Sequence, residues 1–275
     1  MITISKHHGL GNDFLVCDTS QVSAVVDWAN LAKNWCHRRH GVGADGLLLL
    51  TVNARDDLTM VLYNADGSRA EMSGNGIRCL AQAAHIGQRR QGPTDYVVNT
   101  DAGRRDVHVE PIGGDVIEAS VSMGAVGAMS VPDGWSAIGV DPLRPVAHLS
   151  LGNPHTVVGV DDVISVDLRT LGEFVPQVNL EIIEAGEAPS IIRMRVHERG
   201  AGITQACGTG ACASAWAAAE WGLAVPDGDE ILVQMDGGDA RVRLNHPEPG
   251  HVTLIGPAVF VATIQIEDAR LQTYE

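Results

Sequence analysis

Along most of the chain the apolar residues come in short runs of four to seven, bounded by Gly, Asp and Asn, which is the texture of half-buried and buried strands. In the first half this pattern predicts strands over residues 3–5, 14–18, 47–52, 59–63, 96–100, 107–110 and 117–122. The second half repeats it over 147–151, 156–160, 191–197, 230–235, 241–245, 252–255 and 260–266. Helical spacing is confined to three places. One is 23–36, where Val25, Val26, Ala29, Leu31, Ala32 and Trp35 approximate one face. The other two each follow a Gly-x-Gly turn: Ile77, Leu80, Ala81 and Ala84 recur at i, i+3, i+4, i+7, and residues 211–221 are apolar almost all round. Both of the latter predict a central helix enclosed by strands. Gly, Pro and Asp cluster over 130–145 and mark a connector between halves.

The two Gly-x-Gly turns are variants of one motif. Ser73-Gly74-Asn75-Gly76 and Cys207-Gly208-Thr209-Gly210 each place a small nucleophilic side chain at the head of an alanine-rich helix. An asparagine motif precedes each at a similar distance, Gly11-Asn12-Asp13-Phe14 and Gly152-Asn153-Pro154-His155. Self-similarity at half the chain length predicts two related domains whose equivalent helix ends meet at a shared cleft. A helix N-terminus leaves backbone N–H groups free and carries partial positive charge, so it favours a carboxylate and a thiolate. Two such ends can clamp one carboxylate and present a base on each side of the adjacent carbon, an arrangement suited to moving a proton from one face to the other. Small residues also begin helices well, which would explain either motif alone; the pair, with matching asparagines, points to a shared site.

Composition narrows the partner. With 275 residues, 45% of them hydrophobic, the chain can form two domains of ordinary size. A formal charge of −15 disfavours nucleic acid and anionic membranes, leaving a small-molecule substrate. The amino terminus lacks a signal-peptide core and no apolar run is long enough to span a bilayer, so a cytoplasmic, non-membrane protein is expected. Five cysteines at irregular spacing fit free thiols. Residues 41–46 match Gly-x-Gly-x-x-Gly but lead from a helix into a strand, the reverse of a dinucleotide fold. Lys6 and Lys33 are the only lysines and neither sits in a pyridoxal-phosphate context. His37 and His40 lack a third ligand and read as surface residues at a helix end.

His8-Gly9-Leu10-Gly11-Asn12-Asp13-Phe14, Asn64-Ala65-Asp66-Gly67-Ser68, Gly74-Asn75-Gly76-Ile77-Arg78-Cys79, Gly152-Asn153-Pro154-His155 and the run from Glu198 to Ala211 together resemble the diaminopimelate epimerase family, in family order over nearly the whole chain. The resemblance implies an α/β (α+β) fold of two pseudo-symmetric domains, each a curled mixed sheet around a central helix, usually paired as a homodimer. It places residues 1–120 in the first half, 121–261 in the second, and returns 262–275 to the first. It also implies an epimerase with no cofactor and no metal that interconverts LL- and meso-2,6-diaminopimelate in lysine and cell-wall precursor synthesis. The family's two catalytic cysteines fall on Ser73 and Cys207. Gly74, Asn75, Gly208 and Thr209 match its groups around the reacting carboxylate. Asn12, Asn64, Asn153, Asn179, Glu198 and Arg199 match its substrate-binding positions, and His155 a supporting histidine. Arg199 suits a distal carboxylate and Glu198 an ammonium. Cys79 matches a non-catalytic cysteine, and six residues along a helix, roughly 9 Å at about 1.5 Å per residue, keep it from standing in for a thiol at position 73. Serine at the first base position is expected to impair two-base transfer. Open alternatives are a related amino-acid racemase or epimerase, a one-base dehydratase, and a non-catalytic amino-acid-binding relative.

Overall fold

The computed structural model describes residues 1–22, 26–53 and 57–267. The chain divides into two compact units, one formed by residues 1–121 together with the chain from Gly256 onward, the other by Ser122–Ile255.

The first unit contains β1 (Ile2–Gly9), β2 (Asn12–Asp18), α1 (Trp28–Cys36), β3 (Gly46–Val52), β4 (Asp57–Asn64), the two-residue β5 (Arg69–Ala70), α2 (Gly74–Gly87), β6 (Thr94–Thr100), β7 (Gly103–Gly113) and most of β8 (Val116–Ala125). β1 runs antiparallel to β2, β2 parallel to β3, β3 antiparallel to β4, and β4 antiparallel to β5 and parallel to β6. β6, β7 and β8 continue as an antiparallel meander.

The second unit repeats this order element by element. After β9 (Gly127–Ala128) and the one-turn α3 (Trp135–Ile138) come β10 (Val146–Ser150), β11 (Pro154–Gly159), α4 (Leu168–Phe174), β12 (Asn179–Ala185), β13 (Ile191–Glu198), β14 (Gly202–Thr204), α5 (Gly208–Glu220), β15 (Glu230–Met235), β16 (Gly238–Leu244) and β17 (His251–Ile266). β10–β11 is antiparallel, β11–β12 parallel, β12–β13 and β13–β14 antiparallel, β13–β15 parallel, and β15–β16 and β16–β17 antiparallel, each pairing having its counterpart in the first unit. The later residues of β17 pair with β1, from Val259 opposite His8 to Ile266 opposite Ile2. The two halves are pseudo-symmetric, as the repeated motif leads one to expect, and the fold is α+β and dominated by sheet.

Each half wraps its sheet around one helix. α2 packs against β1, β2, β3, β4, β6 and β7 through buried Ile77, Leu80, Ala81 and Ala84. α5 packs against β10, β11, β12, β13, β15 and β16. Its alanines at 211, 213, 215, 217 and 218 are all buried, so small side chains allow strands to approach from nearly every side. On the outer face of each sheet lies a second helix. Leu31, Ala32, Trp35 and Cys36 of α1 cover Leu15, Leu47 and Leu49, while Leu168 of α4 covers Val158, Leu180 and Ile182. Strands β3 and β12 are therefore enclosed on both faces. Alternation sends Leu47 and Leu49 outward and Leu48 inward toward α2; in β12 it sends Leu180 and Ile182 outward and Glu181 inward toward α5.

α1 is shorter than the helix expected over 23–36. It begins at Trp28 because Asp27 caps it, its Oδ1 accepting from Asn30 N at 3.1 Å, and Val26 precedes the cap. Residues 23–25 lie outside the described residues. The two strands expected over 252–255 and 260–266 are one, since β17 runs unbroken through Gly256-Pro257. α4, β12 and the short β5, β9 and β14 are elements that the hydrophobic pattern did not announce.

Candidate active site

The two motifs fold into the same local structure. Ser73 is the N-cap of α2, with φ −138° and ψ 125°, and its Oγ accepts from Gly76 N at 3.0 Å. Cys207 is the N-cap of α5, with φ −126° and ψ 113°, and its Sγ accepts from Gly210 N at 3.3 Å. The glycines three residues on are needed for contact: a Cβ on Gly76 would lie 3.1 Å from Ser73 Cβ, and one on Gly210 3.2 Å from Cys207 Sγ and 2.6 Å from Glu181 Oε1.

Beside Ser73, Asn12, Gly74 and Asn75 form one connected group, and Asn64 stands apart from it. Asn75, buried in the first turn of α2, donates through Nδ2 to Asn12 Oδ1 at 3.3 Å, and Asn12 donates through its own Nδ2 to Asp45 Oδ2 at 2.8 Å. Asp45 belongs to the glycine-rich 41–46 segment, a loop whose work is local: Arg38 bridges Asp45 and Asp13 at 2.6 and 2.7 Å, and Lys6 meets Asp13 at 2.9 Å. Those cations hold the Asp13 carboxyl below its ordinary range despite the opposing effect of burial. Gly74 is buried beside Ser73, with its carbonyl accepting from Arg78 Nη1 at 3.1 Å. Arg78 is itself fully buried and also donates to Asn75 Oδ1 at 2.8 Å and Pro257 O at 3.2 Å. Asn64 is exposed at the end of β4 and donates to Ser68 Oγ at 3.0 Å.

Around Cys207 the group is differently wired. Thr209 Oγ1 lies 3.4 Å from Cys207 Sγ and accepts from Asn153 Nδ2 at 3.1 Å. Asn153 Oδ1 faces His155 Nε2 at 3.0 Å, and His155 Nδ1 faces Glu181 Oε1 at 2.7 Å. His155 and Glu181 are both wholly buried. Asn179 is buried at the start of β12, where its Oδ1 accepts from Arg199 N at 2.8 Å. Glu198 accepts from Thr204 Oγ1, and the Arg199 side chain is exposed. Gly208 and Thr209 are buried in the first turn of α5.

A helix N-terminus alone would hold the Cys207 thiol low. Here burial pushes it well above its ordinary value, the nearby Glu198 and Glu181 carboxyls push it further, and the donors Thr209 and Gly210 N–H only partly offset them. Burial likewise raises the Glu181 carboxyl, with Glu198 adding to the shift and His155 opposing it. Cys17, Cys36 and Cys79 are buried with thiols pushed up to about 12. Cys212 is buried in α5. His37 and His40 stack at a 4.6 Å centroid distance on the surface, and among the described residues no group of His, Cys, Asp and Glu could hold a metal ion. No described helix is long and apolar enough to cross a membrane.

The family model for diaminopimelate epimerase matches residues 4–128 and 148–261, which takes in both helix ends and every residue described around them. This chain belongs to the diaminopimelate epimerase family. Within that family it is 38% identical over 284 residues to the diaminopimelate epimerase of Thermosynechococcus vestitus, covering 94% of this chain and 97% of the relative. It is 37% identical over 273 residues to that of Moorella thermoacetica, covering 93% and 96%. Among solved structures, that of a predicted epimerase from Pseudomonas aeruginosa matches with a TM-score of 0.75 at 13% identity, covering 97% of this chain and 99% of that one. At such low identity this likeness speaks for the fold alone. Two buried charges of this epimerase-family chain have no role assigned by the motifs: Arg78, which stands within one, and Glu181, which lies outside them all. Their signal in the sequence is a charge flanked by apolar neighbours within a helix or strand.

Proposed function

We propose that this protein interconverts LL- and meso-2,6-diaminopimelate by proton transfer at an α-carbon, with Cys207 as the competent base and Ser73 in the position of the second. The observation that carries the reading is the Cys207 environment: a thiol at a helix N-cap, accepting from Gly210 N–H with Thr209 Oγ1 beside it, in a chain of this family. Backbone N–H groups at the start of α5, around Gly208-Thr209, are suited to the reacting carboxylate, and those at the start of α2, around Gly74-Asn75, have the same helix-end character. Asn12, Asn64, Asn153, Asn179, Glu198 and Arg199 are the proposed substrate-binding residues, Arg199 serving the distal carboxylate and Glu198 the ammonium.

In this reading the Cys207 thiolate removes the α-proton and becomes a thiol, and negative charge moves onto the carboxylate held by the helix N–H groups. A proton returned to the other face inverts the centre; one returned by Cys207 restores it. The Ser73 hydroxyl can give a proton to a carbanion but is a poor acceptor from carbon, so inversion is slow in both directions while exchange at one face continues. A thiol pushed up by burial and carboxylates is little ionised at neutral pH but strongly basic once ionised, which matches a weakly acidic C–H. We read the protein as a cytoplasmic homodimer that works without a cofactor, a state checked by light scattering and by activity after exhaustive dialysis against chelator. The direct test of function is conversion of LL-diaminopimelate to the meso form by the purified chain; binding with no α-proton exchange would instead mark a non-catalytic relative.

A further inference from the structure

Glu181 has no role in the proposed reaction so far, yet it is a carboxyl group enclosed in a sheet and helix interior. Its Oε1 engages His155 Nδ1 at 2.7 Å, and its Oε2 is buried without a partner. Its Oε1 would lie 2.6 Å from a Cβ at position 210, so the carboxyl as placed needs a glycine there. The titratable groups facing it are His155 from β11, Cys207 from the cap of α5 and Glu198 from the end of β13. We propose that Glu181 is a positioning residue that, through His155, keeps the Thr209 hydroxyl aimed as a donor at the Cys207 thiolate. The proposal rests on Cys207 being the base assigned above.

A thiolate only accepts, so Thr209 must spend its single hydroxyl hydrogen on Cys207 Sγ, and its oxygen must then accept from its other neighbour. That neighbour is Asn153, whose Nδ2 faces it at 3.1 Å and whose Oδ1 is turned to His155 Nε2. Were the Asn153 amide reversed, its oxygen would compete for the Thr209 hydrogen and the sulfur would lose a donor. The amide stays in place only if His155 Nε2 carries a hydrogen. Glu181 secures this as an uncharged carboxyl, the form its burial favours: its Oε1–H donates to Nδ1, which leaves the ring's one hydrogen on Nε2. Removing the acid takes away the donor to Nδ1 and with it what fixes the direction of the chain.

The first half supplies an internal comparison. The β2–β3 register sets Phe14 opposite Gly46, and the β11–β12 register sets His155 opposite Asn179, so Leu48 is the counterpart of Glu181. Leu48 Cδ2 lies 3.4 Å from the Cβ position of Gly76, as Glu181 Oε1 lies near that of Gly210. With Phe14 and Leu48 in place of His155 and Glu181, no such chain ends at Ser73.

The experiment compares Glu181→Leu, which installs the residue of the first half, with Glu181→Gln, whose amide N–H can donate to His155 Nδ1 and keep hydrogen on Nε2. The readout is the pH dependence of iodoacetamide alkylation at Cys207, followed on its own peptide by mass spectrometry, beside the acid limb of the pH profile for α-hydrogen exchange. Glu181→Leu is expected to slow alkylation about tenfold at pH 8 and move both profiles upward, as loss of one hydrogen bond to a charged group predicts, while Glu181→Gln keeps both where they are. Thr209→Val, which deletes the terminal donor without touching the buried acid, should shift them upward by a similar amount and keeps the test intact if Glu181→Leu does not fold. A downward shift in both Glu181 variants would show that the acid acts by its own negative charge and would overturn the proposal. So would no shift in Glu181→Leu, or none in Thr209→Val. Alkylation needs no substrate, so it gives an answer even if diaminopimelate is not turned over, in which case it is the functional assignment that fails.

Discussion

The starts of α2 and α5 share backbone, cap geometry and a glycine three residues on, yet the asparagine beside each points the opposite way. Asn12 gives its Nδ2 to the Asp45 carboxylate and so turns its oxygen to Asn75; Asn153 gives its oxygen to His155 and so turns its Nδ2 to Thr209. What anchors the far side of the amide decides what the helix end receives. An acceptor-only anchor makes the first asparagine an acceptor, and a donor anchor makes the second a donor. The difference extends to the caps. Cys207 is buried beside a threonine hydroxyl and two carboxyls, whereas Ser73 is partly exposed. The two halves keep the same helix-end frame, and the polar groups set around the two caps differ.

The comparison breaks most sharply at the caps themselves. Cys207→Ala should abolish epimerisation and α-hydrogen exchange, a loss of about 10³-fold or more given that a positioned base contributes on the order of 10²–10⁴, while circular dichroism and unfolding remain those of the parent. Ser73→Cys makes the two caps alike and should raise the rate of inversion by a comparable factor, about 10² or more, measured by chiral chromatography of diaminopimelate. No gain in a folded variant that still binds substrate would mean that the first half has diverged beyond its cap.

Arg199→Ala tests the substrate side and leaves both caps untouched. It should weaken diaminopimelate binding about tenfold to a hundredfold by calorimetric titration, since a charge-assisted contact is worth on the order of 1.5–3 kcal/mol. Unchanged affinity would remove Arg199 from the distal clamp.

A gentler contrast lies in the two buried histidines. His155 faces an acid, whereas His7 is held by neutral groups, Gln82 Oε1 at 2.8 Å and Ser5 Oγ at 2.8 Å, and burial lowers its pKa to about 4. Because the folded chain keeps His7 unprotonated where the unfolded chain would protonate it, its contribution is intact above pH 6.5 and is lost as the pH falls through 4. The loss amounts to roughly 3 kcal/mol at 1.36 kcal/mol per pH unit. Urea unfolding at pH 7 and pH 4.5 should show part of this fall, and His7→Gln should flatten it.

Much of the frame can be read from the sequence because its signals are local. The two Gly-x-Gly turns, the alanine-rich runs after them and most of the strands follow from spacing within ten residues. What could not be read is fixed at a distance. Asn179-Leu180-Glu181-Ile182-Ile183-Glu184-Ala185 places two carboxylates in an apolar run and carries no clean period, because β12 is enclosed on both faces and Glu181 is made tolerable by His155 in another strand. Missing that strand meant missing the acid it carries. Gly256-Pro257 reads as a break, yet β17 passes straight through it where Arg78 Nε takes the Pro257 carbonyl; a Cβ on Gly256 would lie 3.4 Å from the Arg78 guanidinium carbon. The Cys207 thiol lies high despite its helix end for the same reason, since burial and the two carboxyls come from elements remote in sequence.

The inequality of the two caps is tested most directly by following diaminopimelate stereoisomers in deuterated water with the unmodified chain. Cys207 alone can take an α-proton and return a deuteron to the same face, so one stereoisomer should gain α-deuterium faster than it epimerises while the other stays nearly inert, and the asymmetry should vanish in Ser73→Cys. Equal exchange into both stereoisomers, or inversion by the parent as fast as by Ser73→Cys, would contradict the account and require a second base other than residue 73.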